Sequence, residues 1–321
     1  MNTKFLERVF DGQNQWWKYL IVCLVGFVGG QFLGMIPLGI VLVVKTIMSQ
    51  GNIAINPENM ADFTVFGLSK NLVLFLTLFA TVVSLFLTIL LIKALHNRTF
   101  AETVNGRRKI RFGRIGSGAA VWAILMAVYL ILDYSFNPGD YVLQLDWGKF
   151  IVLCILSLCM IPLQTTSEEL LFRGYLAQGF AAWTKNRWAA ILIPGLVFGL
   201  IHFGNPEVKE FGFWLAMPQY VFFGCLFGLI SVLDDGIELA MGMHAANNIF
   251  LSIFATHSAS ALQTDALFEV QVIDPAKDLI QLVVIGLIAL AYFAYRYKWN
   301  FGILNQKVNP PVCDISEIPN D

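Results

Sequence analysis

The strongest constraint on this chain is a succession of apolar stretches longer than a soluble core can use. Residues 19–44 carry no charged side chain, and residues 71–95 carry only Lys93. About 20 such residues cross the hydrocarbon core of a bilayer as a helix. In lipid every backbone N–H and C=O must be bonded internally, and runs of this length and pattern satisfy them as helices. Composition agrees: 57% of the residues are hydrophobic and 13% charged, against about 25% charged in soluble domains. The implied fold class is all-α, a polytopic integral membrane protein of about eight transmembrane helices. Residues 19–44 are too long for the apolar part of a signal peptide. With a net charge of -1, nothing suggests a nucleic-acid partner. The five cysteines match neither a disulfide framework nor a CxxC metal site; Cys23, Cys154, Cys159 and Cys225 sit in apolar runs and Cys313 in the tail.

The expected spans are residues 19–44, 71–95, 116–136, one beginning near 150, then 188–203, 211–233, 237–256 and 279–295. Arg98, Arg107, Arg108, Lys109, Arg111 and Arg114 form the one concentrated basic run, which the positive-inside rule places in the cytoplasm. Both termini then fall on the same side, and the expected location is a bacterial plasma membrane. Residues 1–18 form a cytoplasmic N-terminal segment, 19–297 the bundle with its functional core at about 150–256, and 298–321 a polar tail. One loop is discordant: Asp234, Asp235 and Glu238 are cytoplasmic by alternation yet acidic. Gly26, Gly30 and Gly34 recur every four residues, a spacing that lets another helix approach closely. Residues 258–278 show no assignable pattern.

Charge reappears where lipid should forbid it, in Thr165-Thr166-Ser167-Glu168-Glu169-Leu170-Leu171-Phe172-Arg173. A charged side chain near mid-membrane costs about 2.5 kcal/mol or more on insertion scales, so such groups face a polar interior. Glu169 and Arg173 are four apart, acid before base, and can pair on one face. Glu168 lies about 100° round the helix. The same residues also read as a capping box, Thr165 with Glu168, after a break at Pro162.

Two further spans hold polar groups: Phe198-x-x-x-His202 and His244-x-x-x-Asn248. A buried carboxylate beside an imidazole can deprotonate a water. A His and an Asn one turn apart can donate to the oxygen that turns negative when water attacks a carbonyl. Glu168, His202 and His244 are equally the ligand types of an open zinc site with a fourth position for water. The residues alone do not choose between a metal-free and a divalent-metal water.

Glu168-Glu169-x-x-x-Arg173, Phe198-x-x-x-His202 and His244-x-x-x-Asn248, in this order on separate spans, resemble the CPBP family, also called Abi or type II CAAX prenyl proteases. The resemblance covers about a quarter of the chain and implies an intramembrane endopeptidase with its active site inside the bundle. In it Glu168 matches the water-activating glutamate and His202 its partner. His244 and Asn248 match the oxyanion-stabilising pair, while Glu169 and Arg173 match orienting and structural positions. Members are commonly labelled metalloproteases. The implied partners are the lipid bilayer and a membrane-associated peptide or protein substrate, lipidated or not.

Two other classes compete: a non-catalytic immunity or scaffold protein, and an ion-coupled transporter, which would show an inverted repeat that the chain lacks. One geometric tension remains. At ~1.5 Å per residue, Glu168 lies about 27 Å along a span starting at Phe150, close to the cytoplasmic face. By the same rise, His202 lies about 21 Å from that face. A helix broken or bent between Pro162 and Ser167 is therefore expected, with the freed backbone groups satisfied inside the protein.

Overall fold

Close approach of a glycine-lined helix to its neighbour begins the fold. The computed structural model describes residues 4–49 and 63–310; Cys313 and the end of the expected tail lie outside them, as does the middle of the loop after the first span. Helix α1, Trp16–Met48, packs against α2, Lys70–His96. A Cβ at Gly30 would stand 2.5 Å from the Ser84 Cα and one at Gly34 2.3 Å from that of Ala80, while one at Gly26 would meet Thr88. The four-residue glycine spacing is thus a packing seam, where small residues let backbones come together.

Among the described residues six helices are long and apolar enough to cross a membrane. Besides α1 and α2 they are α3 (Phe112–Phe136), α4 (Trp147–Thr184), α6 (Phe213–Leu233) and α8 (Pro275–Tyr297). Two shorter helices, α5 (Arg187–Ile201) and α7 (Glu238–Phe254), pack against these. The chain is an all-α, multi-pass integral membrane protein; among the described residues six of the expected eight spans are long and apolar enough to cross, and the other two expected spans fall on these shorter helices. Helix starts carry side-chain caps for otherwise unbonded N–H groups: Ser69 at α2, Asp146 at α4, Asn186 at α5 and Asp274 at α8.

The expected break in the fourth span is absent. Helix α4 runs through Pro162 as one 38-residue helix, and Thr165 and Thr166 do not cap a new start. Their hydroxyls donate back to the carbonyls of Ile161 (3.1 Å) and Pro162 (2.6 Å). The irregularity comes later, as a widened π-helical turn at Leu170–Leu176 directly after Glu169. Such single widened turns inside α-helices are frequent at functional sites.

At one end of the bundle the N-terminal segment, the 98–114 loop, the 234–238 loop and residues 299–308 meet. The discordant acids are counter-ions there: Arg111 pairs with Asp234 (3.2 Å) and Glu238, and Arg114 with Asp234 (3.3 Å). Asp235 Oδ1 accepts the backbone N–H groups of Lys4 and Phe5. At the other end three short strands, β1 (Tyr141–Leu143), β2 (Ala255–Thr256) and β3 (Phe268–Val270), form a sheet in the order β1-β3-β2. Strand β3 is antiparallel to β1 and parallel to β2, so the unassigned 258–278 stretch contributes the central strand. The main apolar core gathers Trp122, Phe172, Tyr175, Phe198, Phe227 and Met243 with their neighbours from α1 to α8.

Candidate functional site

Helix α4 presents two adjacent rows of polar side chains. Gln164 and Glu168 lie on one, Thr165, Glu169 and Arg173 on the other, each at the i,i+4 spacing that stacks side chains. Helix α7 packs against α3 and α4, and α5 against α6 and the second half of α4, so both rows face protein.

The continuous length of α4 removes the depth problem. It spans roughly 57 Å at 1.5 Å per residue, well beyond a hydrocarbon core of ~30 Å. Glu168 therefore sits near the middle of the helix and not at its end. The turn at Lys185 and Asn186 joins α4 to α5 as an antiparallel hairpin. Counting back from it to Glu168 and forward to His202 gives nearly equal distances, about 25 Å each way, so the two residues lie at one level.

Glu169 and Arg173 form a buried pair at 2.9 Å, with side chains 0% and 1% exposed. The same Glu169 oxygen accepts from His244 Nδ1 at 2.7 Å, and His244 Nε2 lies 3.8 Å from Glu168 Oε2. His244 thus bridges the two neighbouring carboxylates. With Nδ1–H donated to Glu169, Nε2 carries a proton only when the ring is the imidazolium. In that form Glu168, Glu169, Arg173 and His244 sum to zero charge.

The other Glu168 oxygen accepts from Gln164 Nε2 at 2.5 Å. Gln164 Oε1 in turn accepts from Asn248 Nδ2 at 3.3 Å, Asn248 accepts from Asn247 at 3.1 Å, and Asn247 accepts from the Trp122 indole at 3.1 Å. His202 ends α5, its Nδ1 held by the Phe198 carbonyl at 2.8 Å. Its ring stacks on Tyr220, with centroids 4.5 Å apart. Phe198 joins the parts: its buried ring lies 4.6 Å from His202, 6.0 Å from His244, and 4.0 Å beneath the Arg173 guanidinium.

The protein-family model described as "Type II CAAX prenyl endopeptidase Rce1-like" matches residues 147–250. The chain is also 31% identical over 255 residues to "Uncharacterized protein YyaK" of Bacillus subtilis (strain 168), a match spanning 79% of this chain and 82% of the relative. The chain belongs to the CPBP family of CAAX proteases. No solved structure matches it.

In this CPBP protein the seven sequence-selected residues Glu168, Glu169, Arg173, Phe198, His202, His244 and Asn248 gather into one interior cluster. The zinc reading of Glu168, His202 and His244 fits less well. Among the described residues no three His, Cys, Asp or Glu side chains converge on a common metal position. Four participants escaped the sequence reading. Gln164 had a signal, a polar residue four before Glu168 in an apolar run. Asn247 sits beside Asn248 in a motif already marked. Tyr220 and Trp122 look like any aromatic in a span.

Proposed function

We propose that this membrane-embedded CAAX-type peptidase cleaves a peptide bond near the membrane with a water activated by Glu168 and His202. The observation that carries the reading is the Glu168 carboxylate, turned inward on an intact helix at the level of His202, with His244 Nε2 and Gln164 on its two oxygens. Glu168 takes a proton from the water as its oxygen attacks the scissile carbonyl, forming the C–O bond. The oxyanion accepts hydrogen bonds from Asn248 Nδ2–H and from His244 Nε2–H. Collapse breaks the C–N bond, and Glu168 returns its proton to the leaving amine. His202 orients the water, held by Phe198 and Tyr220. Arg173 offsets the charge of Glu169 and does not touch the substrate.

The proposed core is about 150–256, and the substrate is a peptide or protein tail at the membrane surface, lipidated or not. The Arg98–Arg114 end is read as cytoplasmic, together with both termini, in a bacterial plasma membrane. The test is hydrolysis of labelled peptides, farnesylated CAAX tails and unlipidated membrane peptides, by purified protein and its Glu168→Gln variant. Cleavage by wild type and none by Glu168→Gln, with unchanged melting, is expected. A Glu168→Gln protein that cleaves at the wild-type rate refutes the mechanism. A wild type that cleaves nothing in the panel favours the non-catalytic role.

A further inference from the structure

At the end of the bundle remote from β1–β3, the start of α3, the end of α6 and the end of α8 surround a cavity of about 420 Å³. Pockets of a few hundred Å³ are the size that holds a small-molecule ligand. Six cationic side chains line this one: Lys4, Arg8, Arg107, Arg111, Arg114 and Lys298. The lining acids are Asp234 and Asp235, and both are already engaged. Asp234 is shared by Arg111 and Arg114 and accepts from the Trp299 indole at 3.1 Å. Asp235 Oδ1 is taken by backbone N–H groups.

Among the cations, Arg8 pairs with Asp11 at 3.0 Å and also donates to the Gly106 carbonyl. Lys4, Arg107 and Lys298 make no ion pair among the described residues. The cavity therefore holds a surplus of positive charge that the described part of the protein does not neutralise. Its level matters too: α6 ends at Leu233 and α8 at Tyr297, so the cavity lies where apolar spans give way to water. Tyr297 and Trp299 line it, as aromatic residues do at the headgroup level.

We propose that this cavity binds a phosphate-bearing anion, supplied either by an anionic phospholipid headgroup or by a free phosphate. Basic pockets between spans at a membrane face have the charge and position for such headgroups. The cavity is separate from the Glu168 cluster, and the proposal stands independently of the hydrolytic reading.

The test uses the full chain in phosphatidylcholine nanodiscs. Retention of phosphatidylglycerol is measured by native mass spectrometry, with inorganic phosphate as competitor, for wild type and for Arg107→Gln/Lys298→Gln. Both side chains are exposed and remote from Glu168, so hydrolysis and melting should stay at wild-type values. Wild type should retain phosphatidylglycerol over phosphatidylcholine, and the double variant should retain it more than about tenfold more weakly, given the usual contribution of each cation near a membrane surface. Retention that phosphate does not displace assigns the site to lipid. Phosphate binding in wild type, lost in the variant and without lipid preference, assigns it to the soluble anion. Equal retention of both lipids with no phosphate binding, or identical behaviour of variant and wild type, overturns the proposal. If the double variant is poorly folded, Arg107→Gln alone decides by the same readout.

Discussion

Arg173→Ala should damage stability and activity together. The Glu169 and Arg173 side chains are 0% and 1% exposed, and Glu169 Oε2 already lacks a hydrogen-bond partner. Removing the guanidinium leaves a buried carboxylate supported only by His244 Nδ1. It also empties the space above Phe198, where the guanidinium carbon lies 4.0 Å from the ring centroid. Breaking a buried pair from one side costs about 3–5 kcal/mol. At ~2–4 °C per kcal/mol, the melting temperature should fall by roughly 6–20 °C. The assay is thermal unfolding of purified protein in detergent, followed by intrinsic fluorescence and by size-exclusion recovery after heating. Glu169→Gln with Arg173→Met should recover much of that loss, because neither charge is stranded and the two sites are coupled. Hydrolysis should stay low in the double variant, since His244 loses the carboxylate that holds its Nδ1. If Arg173→Ala melts with wild type and fails only to cleave, the guanidinium belongs to the chemistry or to substrate binding, and its structural assignment is wrong.

Gln164→Leu should lower kcat by about 10²-fold, the scale of a positioned acid-base group, with melting close to wild type. It should not add to Asn248→Ala, because both interrupt one hydrogen-bond chain; a multiplicative double variant would show that they act separately. Single cysteines in a cysteine-free background should label from the cytoplasm at Arg107 and from outside at Asp140, and the reverse pattern would invert the topology. Burial pushes the Asp234 carboxyl up from 3.8 to about 6, against the pull of Arg111 and Arg114. The folded protein then holds this proton more tightly than the unfolded chain, so the contribution to stability is full below 3.8 and lost as pH rises through about 6. The wild-type melting temperature should fall relative to that of Asp234→Asn across this range, and parallel curves for the two proteins would refute the assignment.

Much of the architecture is local and so could be read from residue order. Apolar runs longer than a soluble core needs mean membrane helices, because lipid offers the backbone no other partner. The Gly26, Gly30 and Gly34 spacing foretold a close helix contact, and the i,i+4 relation of Glu169 and Arg173 foretold their pair. Each follows from the geometry of a single helix. Relations between helices were not legible. The depth count failed because it ended the fourth span at the bilayer face, whereas α4 continues to Thr184 inside the protein and turns there, bringing Glu168 and His202 level. The acidic 234–238 loop looked misplaced until Arg111 and Arg114 were found against it. Gln164 gains meaning only because α7 sets Asn248 beside it, and Tyr220 only because α6 lays its ring on His202. Helix periodicity determines which side chains share a face; the packing of helices against one another decides which faces meet, and at this site that meeting is what lets His244 bridge two carboxylates.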